Sequence, residues 1–155
     1  MNKRRIASYI SVCNIHSERL ANSIRNLKKL IPLSVAQYKM LNEQEVSFLD
    51  QMSYRFGKLQ DAMGRLLRLV LLSLGEDVTN LPFIDILNKA EKLGIIENAH
   101  EWITLRELRN LLTHEYSEKI EEIVEGINKL YEISKRLLEI YKEIIEYIDK
   151  RKILE

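Results

Sequence analysis

The sequence predicts an all-α protein, an antiparallel bundle of about five helices of which three are long and two are short. Only 5 glycines and 2 prolines occur among 155 residues, which leaves little room for the many turns of an all-β fold. Apolar residues recur at steps of three and four along most of the chain, as on one face of a helix. The length fits one domain, so we expect residues 1–155 to form a single bundle.

Composition excludes several classes of protein. Hydrophobic residues make up 46% and charged residues 30%, which favours a folded chain over a disordered one. The single cysteine, Cys13, excludes an internal disulfide and a cysteine-based zinc site. The longest aliphatic run, 69–72, is far shorter than the about 20 residues of a membrane span. We expect no signal peptide after the basic residues 3–5, and therefore a cytoplasmic protein without membrane contact.

The first helix is predicted over about 3–30, with Pro32 after its end. His16 and Cys13 stand on its apolar face, and we expect both to be packed. The first 30 residues contain seven Lys or Arg and one acid, although the net charge of the whole chain is only +1. A basic segment of this kind suggests an anionic partner, nucleic acid or an acidic protein, but a solvated helix face is the simpler explanation.

The second helix contains the most apolar segment of the chain. It is predicted to begin after a capping box formed by Asn42 and Glu45 and to stop at Gly75. Ser34, before it, is expected to cap a short turn or a continuation of the first helix. The segment 66–74 is apolar on nearly every side, which places it either at the centre of the bundle or at a subunit interface.

Three further helices are predicted in the second half of the chain. A short third helix, 83–93, lies between Pro82 and Gly94. Asn98 caps a fourth helix, and Ser117 caps the fifth. The fifth helix has about 30 residues with apolar positions seven apart. Its apolar stripe is wider than the seam of a free two-stranded coiled coil, so we expect it to pack within the bundle.

The residues with the strongest chemical pattern stand at the end of the fourth helix, in Arg109-Asn110-x-x-x-His114-x-Tyr116. Chance alone gives this combination with an expectation under roughly one in a thousand. Arginine offers a planar, permanently charged fork for phosphate, and histidine transfers protons near neutral pH. Together they suffice to cleave RNA through its own 2′-hydroxyl. The alternative is a helix end at which both residues merely complement the helix dipole.

The number of histidines suggests a dimer. The motif supplies one histidine per chain, whereas the reaction needs one group that removes a proton and another that donates one. A symmetric homodimer would bring two copies of His114 and Arg109 into one cleft, although the heptads of the last helix could also drive a tetramer. The sequence contains no cluster of carboxylates and histidines that would suggest a metal site. We therefore expect metal-free chemistry without a cofactor.

The motif resembles the Arg-x4–6-His motif of the HEPN superfamily. Its spacing and its tyrosine are similar to those of HEPN ribonuclease toxins encoded beside a minimal nucleotidyltransferase antitoxin. The segments 54–61 and 83–85, together with Trp102, resemble the same branch. The resemblance implies a helical bundle that forms a homodimer and acts as a metal-independent endoribonuclease, with the arginine and histidine of both subunits in a shared cleft.

The resemblance also implies a role for each residue of the motif. Arg109 would bind phosphate and stabilise the charge of the transition state, His114 would act as acid and base, and Asn110 would orient them. Tyr116 matches the tyrosine that the partner antitoxin can nucleotidylate in modules of this type. A nucleotide attached there would block the entry of RNA.

Three cations outside the motif are candidates for RNA binding, namely Arg55, Lys58 and Arg106. Arg55, Lys58 and Asp61 lie on one side of the second helix, where they join a polar cluster at the cleft or form i,i+3 salt bridges. Arg106 could equally pair with Glu107. Two other functions stay open: a non-catalytic subunit that binds a substrate or nucleotide for a nucleotidyltransferase, and a plain helical interaction module.

Overall fold

The structure, a computed structural model, describes residues 2–114 and 119–155, and for 113 and 114 it describes the backbone alone. These residues form six helices and no strand, which confirms the all-α prediction with one helix more than the five predicted. The helices are α1 Asn2–Leu27, α2 Val35–Lys39, α3 Glu43–Ser73, α4 Phe83–Lys92, α5 Ala99–His114 and α6 Ile120–Lys150. Within the described residues, every helix falls short of the length or the hydropathy that a membrane span needs.

The first connection contains two differences from the predicted elements. α1 ends at Leu27, and the N–H groups of Leu30 and Ile31 donate to the Leu27 carbonyl at 2.9 and 3.2 Å, in a turn that takes the place of the last predicted helical turn. The additional helix, α2, begins at a capping box. The N–H of Gln37 donates to the Ser34 hydroxyl at 3.1 Å, and the Gln37 side chain accepts from the Ser34 N–H at 3.0 Å.

α3 is the central helix and packs against α1, α4, α5 and α6. Its predicted capping box is confirmed, since the Glu45 N–H donates to Asn42 at 2.8 Å and the Asn42 N–H donates to Glu45 at 3.0 Å. It ends before Gly75, whose φ of +84° is left-handed. Most of the apolar segment 66–74 is buried inside the chain, which places it at the centre of the bundle. Its buried residues are Leu66, Leu67, Leu69, Val70 and Leu71.

Helices α4 and α5 follow the predicted signals, and α6 begins two residues later than predicted. α4 begins directly after Pro82 and ends before Gly94, whose φ is +79°. α5 begins after Asn98, whose side chain accepts from the N–H of Glu101 at 3.0 Å. α6 is a helix of 31 residues that packs against α1, α2, α3 and α5. Its N-cap is Lys119, which forms no side-chain cap hydrogen bond, so the prediction that Ser117 caps this helix is wrong; Ser117 itself lies outside the described residues.

Arg136 of α6 holds the beginning of α5 in place. Its Nε and Nη2 donate to the two carboxylate oxygens of Glu101 at 2.9 and 2.8 Å, which is a bidentate pair. Carboxylate oxygens of Glu139, Glu143 and Glu97 lie 3.1, 3.3 and 3.6 Å from the same guanidinium. The hydrogen bonds to Arg136 lower the pKa of Glu101, and those to Glu101 raise the pKa of Arg136. The helix that carries the motif is therefore anchored at its first turn.

Candidate functional site

The motif occupies the last turns of α5, which pack against α3 and α6. Arg109, Asn110 and His114 all belong to this helix. Asn110 is exposed, and its spacing of four residues from His114 places the two on the same helix face. The side chain of His114 and the whole of Tyr116 lie outside the part of the chain that the structure describes.

Arg109 extends from α5 across α3. Its Nη2 lies 4.0 Å from Oδ1 of Asp61, and its side chain is 17% exposed against 60% for Asp61. A Cβ atom added at Gly57 would lie 2.8 Å from Nη1 of Arg109, closer than real Cβ contacts come. The guanidinium therefore occupies space that exists only because residue 57 has no side chain. Arg109 is therefore packed against the backbone of α3 at Gly57 and lies within ion-pair distance of Asp61.

This arrangement suits the binding of an anion. A guanidinium held in one orientation presents its N–H donors as a fork that matches two phosphate oxygens. Partial burial strengthens its attraction to a negative charge, since water screens it less. Because Arg109 precedes His114 by five residues on α5, the held cation and the histidine backbone belong to the same end of the same helix.

A cleft of about 250 Å³ lies between α3, α4 and α5 and shares Asp61 with the Arg109 ion pair. It is lined by Gln60, Asp61, Gly64, Arg65, Arg68, Phe83, Trp102 and Arg106. Three of these residues are arginines and one is an acid, so the cleft carries a net positive charge. An anionic group would be attracted into it.

Aromatic contacts place Arg106 at this cleft. Its guanidinium carbon lies 5.6 Å from the centroid of the Phe83 ring, a cation–π distance. The Phe83 ring packs edge-on against Trp102, with centroids 6.0 Å apart and planes at 63°. A Cβ atom at Gly64 would lie 3.1 Å from Cζ of Phe83, so the glycine lets the ring approach α3. Within the described residues Arg106 forms no ion pair with Glu107.

The other two candidate RNA-binding cations lie earlier on α3 and face α1. The guanidinium carbon of Arg55 and Nζ of Lys58 lie 5.2 and 5.5 Å from the ring centroid of Tyr54, which is 56% exposed. An exposed ring flanked by cations is a surface on which a nucleobase can stack. Neither cation forms an ion pair with Asp61 in the described part of the chain, so the i,i+3 alternative is not seen there.

His16 of α1 lies beside Arg55 and Lys58, a position that the sequence did not predict. Its Nδ1 lies 2.9 Å from Nη1 of Arg55, so the neutral ring accepts a hydrogen bond from the guanidinium. Burial lowers the pKa of His16, and the positive charges of Arg55 and Lys58 lower it further. The sequence predicted only that His16 packs on the apolar face of α1, and a contact with α3 has no local signal.

Gln60 is one of several cleft residues that the sequence did not predict to be functional; Arg65 and Arg68 are others. It is 3% exposed, and within the described residues neither Nε2 nor Oε1 has a hydrogen-bond partner. A sequence signal for it does exist. Gln60 follows Phe56 by four residues and precedes Met63 by three, which places a polar side chain on the buried face of α3.

Neither a metal cluster nor a relative identifies the site. Among the described residues, no three His, Cys, Asp or Glu side chains are grouped so that they could hold a metal ion. No family model matches the chain, and neither a curated protein nor a solved structure matches it. The function therefore has to be inferred from the residues and their arrangement.

Proposed function

We propose that this chain is the toxin of a HEPN/minimal-nucleotidyltransferase toxin–antitoxin module and acts as a metal-independent endoribonuclease. The observation that carries the proposal is the placement of Arg109 by Gly57 and Asp61, on the helix that continues to His114. An arginine that served only the helix dipole would need no space reserved for it on a neighbouring helix.

The proposed reaction uses the RNA's own 2′-hydroxyl. Its oxygen attacks the adjacent phosphorus, and the bond from phosphorus to the 5′ oxygen breaks, which leaves a 2′,3′-cyclic phosphate and a 5′-hydroxyl. One His114 accepts the proton of the 2′-hydroxyl, and the His114 of a second subunit donates a proton to the departing 5′ oxygen. Arg109 stabilises the negative charge that develops on the phosphate oxygens. Asn110 orients these groups from the same helix face.

The mechanism requires a homodimer, because the motif supplies one histidine per chain. The end of α5 offers apolar surface for such a contact. Leu111 and Val46 are 51% and 42% exposed, and both line an apolar cavity of about 570 Å³ between the starts of α3 and α6. A second copy of the chain that covers this end would bring two motifs together.

We also infer that the long helices α1 and α3 run antiparallel. Nδ2 of Asn22, late in α1, donates to Oε1 of Gln51 early in α3 at 3.3 Å. His16, earlier in α1, contacts Arg55, which is later in α3. The residue numbers of the contacts decrease along α1 while they increase along α3, which is the pattern of two antiparallel helices.

The proposed partner is a minimal nucleotidyltransferase antitoxin that modifies Tyr116. The tyrosine oxygen attacks the α-phosphate of a nucleoside triphosphate, which forms a phosphodiester and releases pyrophosphate. Because Tyr116 follows His114 by two residues, the added anionic group would compete with RNA for Arg109. Arg55, Lys58 and Arg106 are the proposed contacts to the RNA substrate, and each lies against an aromatic ring.

The test compares the wild-type chain with His114→Ala and Arg109→Ala for cleavage of single-stranded RNA and for growth arrest. We expect each variant to lose activity by at least about 100-fold. His100→Ala is the matched control for His114→Ala, since His100 is an exposed histidine in the first turn of the same helix and should be dispensable. The products should carry cyclic phosphates, and EDTA should not change the rate.

Two results would contradict the proposal. Equal behaviour of wild type and His114→Ala would exclude the ribonuclease and favour a non-catalytic binding subunit of a nucleotidyltransferase, which co-purification with that enzyme would then support. Loss of wild-type cleavage in EDTA, with recovery on addition of magnesium, would exclude the metal-independent mechanism.

A further inference from the structure

The cleft between α3, α4 and α5 contains arginines that form no ion pair with a carboxylate in the described part of the chain. Arg65 and Arg106 are exposed, and within the described residues neither forms an ion pair. Arg68 donates to the carbonyls of Val78 and Leu81 at 2.9 and 3.4 Å, so its charge is fixed in place by the loop after α3. The single acid of the cleft, Asp61, lies against Arg109. The cleft therefore suits an anionic ligand.

Gln60 adds a second, independent indication of a ligand. A buried amide without hydrogen bonds destabilises the folded protein, so such a group needs a partner or a use. Gln60 is one of the residues that line the cleft, and both polar atoms of its amide are buried and without partners in the described part of the chain. To reach a ligand in the cleft, the side chain has to turn toward it. An amide both donates and accepts, which matches the edge of a nucleobase or a ribose hydroxyl.

These features together select one class of ligand. An inorganic phosphate would bind the arginines but leave the Gln60 amide without partners. An apolar ligand would contact Phe83 and leave the arginines unused. We propose that the cleft is a ribonucleotide-binding subsite, in which Arg65 and Arg106 hold the phosphate and Gln60 hydrogen-bonds the base or the sugar.

The position of the cleft indicates which nucleotide this would be, and that part rests on the proposed function. Asp61 belongs both to the cleft and to the Arg109 pair, and Arg65 follows it by one helical turn, about 6 Å along α3. A strand whose scissile phosphate contacts Arg109 would place a neighbouring nucleotide in the cleft. The subsite would then determine which sequences are cut.

The chain carries a built-in probe for the test, because Trp102 is its single tryptophan and lines the cleft. Tryptophan emission is followed during titration with each of the four 5′-ribonucleoside monophosphates. A short RNA whose 2′-hydroxyls are methylated, and which therefore cannot be cleaved by 2′ attack, is titrated in parallel. We expect saturable binding, with at least about tenfold weaker binding by Arg65→Gln. Tighter binding of the RNA supports the subsite with the strand as its ligand, and equal affinity supports it with a free nucleotide.

Arg25→Gln is the matched control, because Arg25 is an exposed arginine near the far end of α3. It lies three residues after Asn22, which contacts Gln51, and Gln51 is 14 residues, about 21 Å, from Arg65 along α3. We expect its affinity to equal that of the wild type. Equal loss in both arginine variants would indicate general charge attraction and would overturn the subsite.

Gln60→Leu separates binding from folding. Removal of a buried polar group without partners should raise the Tm of the ligand-free protein while it weakens nucleotide binding. A lower Tm with unchanged affinity would show that Gln60 serves the fold, which would overturn its role in binding.

The subsite and the proposed function can fail separately. Nucleotide binding by a wild-type chain that cleaves no RNA would overturn the ribonuclease and support the subsite. The opposite result is also possible. If the chain cleaves RNA but binds none of the monophosphates, and if Arg65→Gln binds the methylated RNA as tightly as wild type does, the subsite is overturned and the ribonuclease stands.

Discussion

Arg109 lies so close to Gly57 that the glycine's missing side chain determines where the guanidinium can be. An added Cβ would stand 2.8 Å from Nη1, so Gly57→Ala should force Arg109 away from its present position. We expect RNA cleavage to fall roughly 100-fold, since a displacement of about 1 Å in a catalytic group has effects of that size. Stability should be unchanged or higher, because alanine is favoured over glycine in a helix by about 1 kcal/mol.

A double variant provides the control for this prediction. In the Arg109→Ala background, Gly57→Ala should cause no further loss of cleavage, because the group that it displaces is already absent. Cleavage rates and urea unfolding curves of the four proteins complete the cycle. Additive losses would mean that Gly57 acts through something other than Arg109.

Tyr116→Phe tests the proposed control by the antitoxin. Phenylalanine lacks the oxygen that would receive the nucleotide, so the variant should cleave RNA as the wild type does and stay toxic beside the nucleotidyltransferase. Growth of cells that express both proteins and the intact mass of the purified chain are the measurements. If the partner silences Tyr116→Phe as well, the modification of this tyrosine is not the means of control.

Arg136→Leu should destabilise the bundle by about 1–2 kcal/mol at neutral pH, because it leaves clustered glutamates without their cation. The pKa of Glu101 is lowered in the folded protein, so its stabilising contribution is present above its unfolded pKa of about 4.3 and is lost as the pH falls further. The difference in unfolding free energy between Arg136→Leu and the wild type should therefore be smaller in acid than at neutral pH. Urea unfolding of both proteins at neutral pH and below the unfolded pKa of glutamate measures this difference.

Lys135→Gln is the control for that experiment. Lys135 neighbours Arg136 and pairs with Glu132 at 3.3 Å, but the two side chains are 47% and 61% exposed. An exposed pair of this kind contributes less than about 1 kcal/mol, so we expect little change. An equal loss in both variants would mean that general charge, not the bidentate pair with Glu101, stabilises the fold.

Cys13 should be inert in the folded protein. It is 0% exposed, and burial raises the pKa of its thiol to about 12, so almost no thiolate exists near neutral pH. Labelling by a maleimide should be slow in buffer and fast in denaturing urea, as followed by mass spectrometry. Fast labelling without urea would show that α1 separates from the bundle while the rest stays folded.

The predictable parts of the fold are those with local causes. The capping box of Asn42 and Glu45 and the left-handed turns at Gly75 and Gly94 involve residues close in sequence, and each was predicted correctly. α2 has only 5 residues, too few to show a helical period, so its cap at Ser34 was predicted but a separate helix was not. The helix bounds therefore follow from the sequence wherever an element is long enough or has a signal at its end.

The candidate site was less predictable because its contacts join distant parts of the chain. The motif identified Arg109, but its approach to Gly57 crosses 52 positions of sequence and depends on how α5 packs against α3. The sequence offered Glu107 as a partner for Arg106, whereas the observed neighbour is Phe83 on another helix. Local spacing finds which residues carry chemistry, and tertiary packing decides what they touch.

Gly57 and Gly64 are seven residues apart on α3, so they share one helix face about 10 Å apart. The first lies against Arg109, and the second lies against Phe83, whose ring carries Arg106. A single methyl group at one position would disturb the cation at the end of α5, and at the other it would disturb the cation one turn earlier. Substitutions at these two glycines would thus act on the two cations separately, without replacing a charged residue.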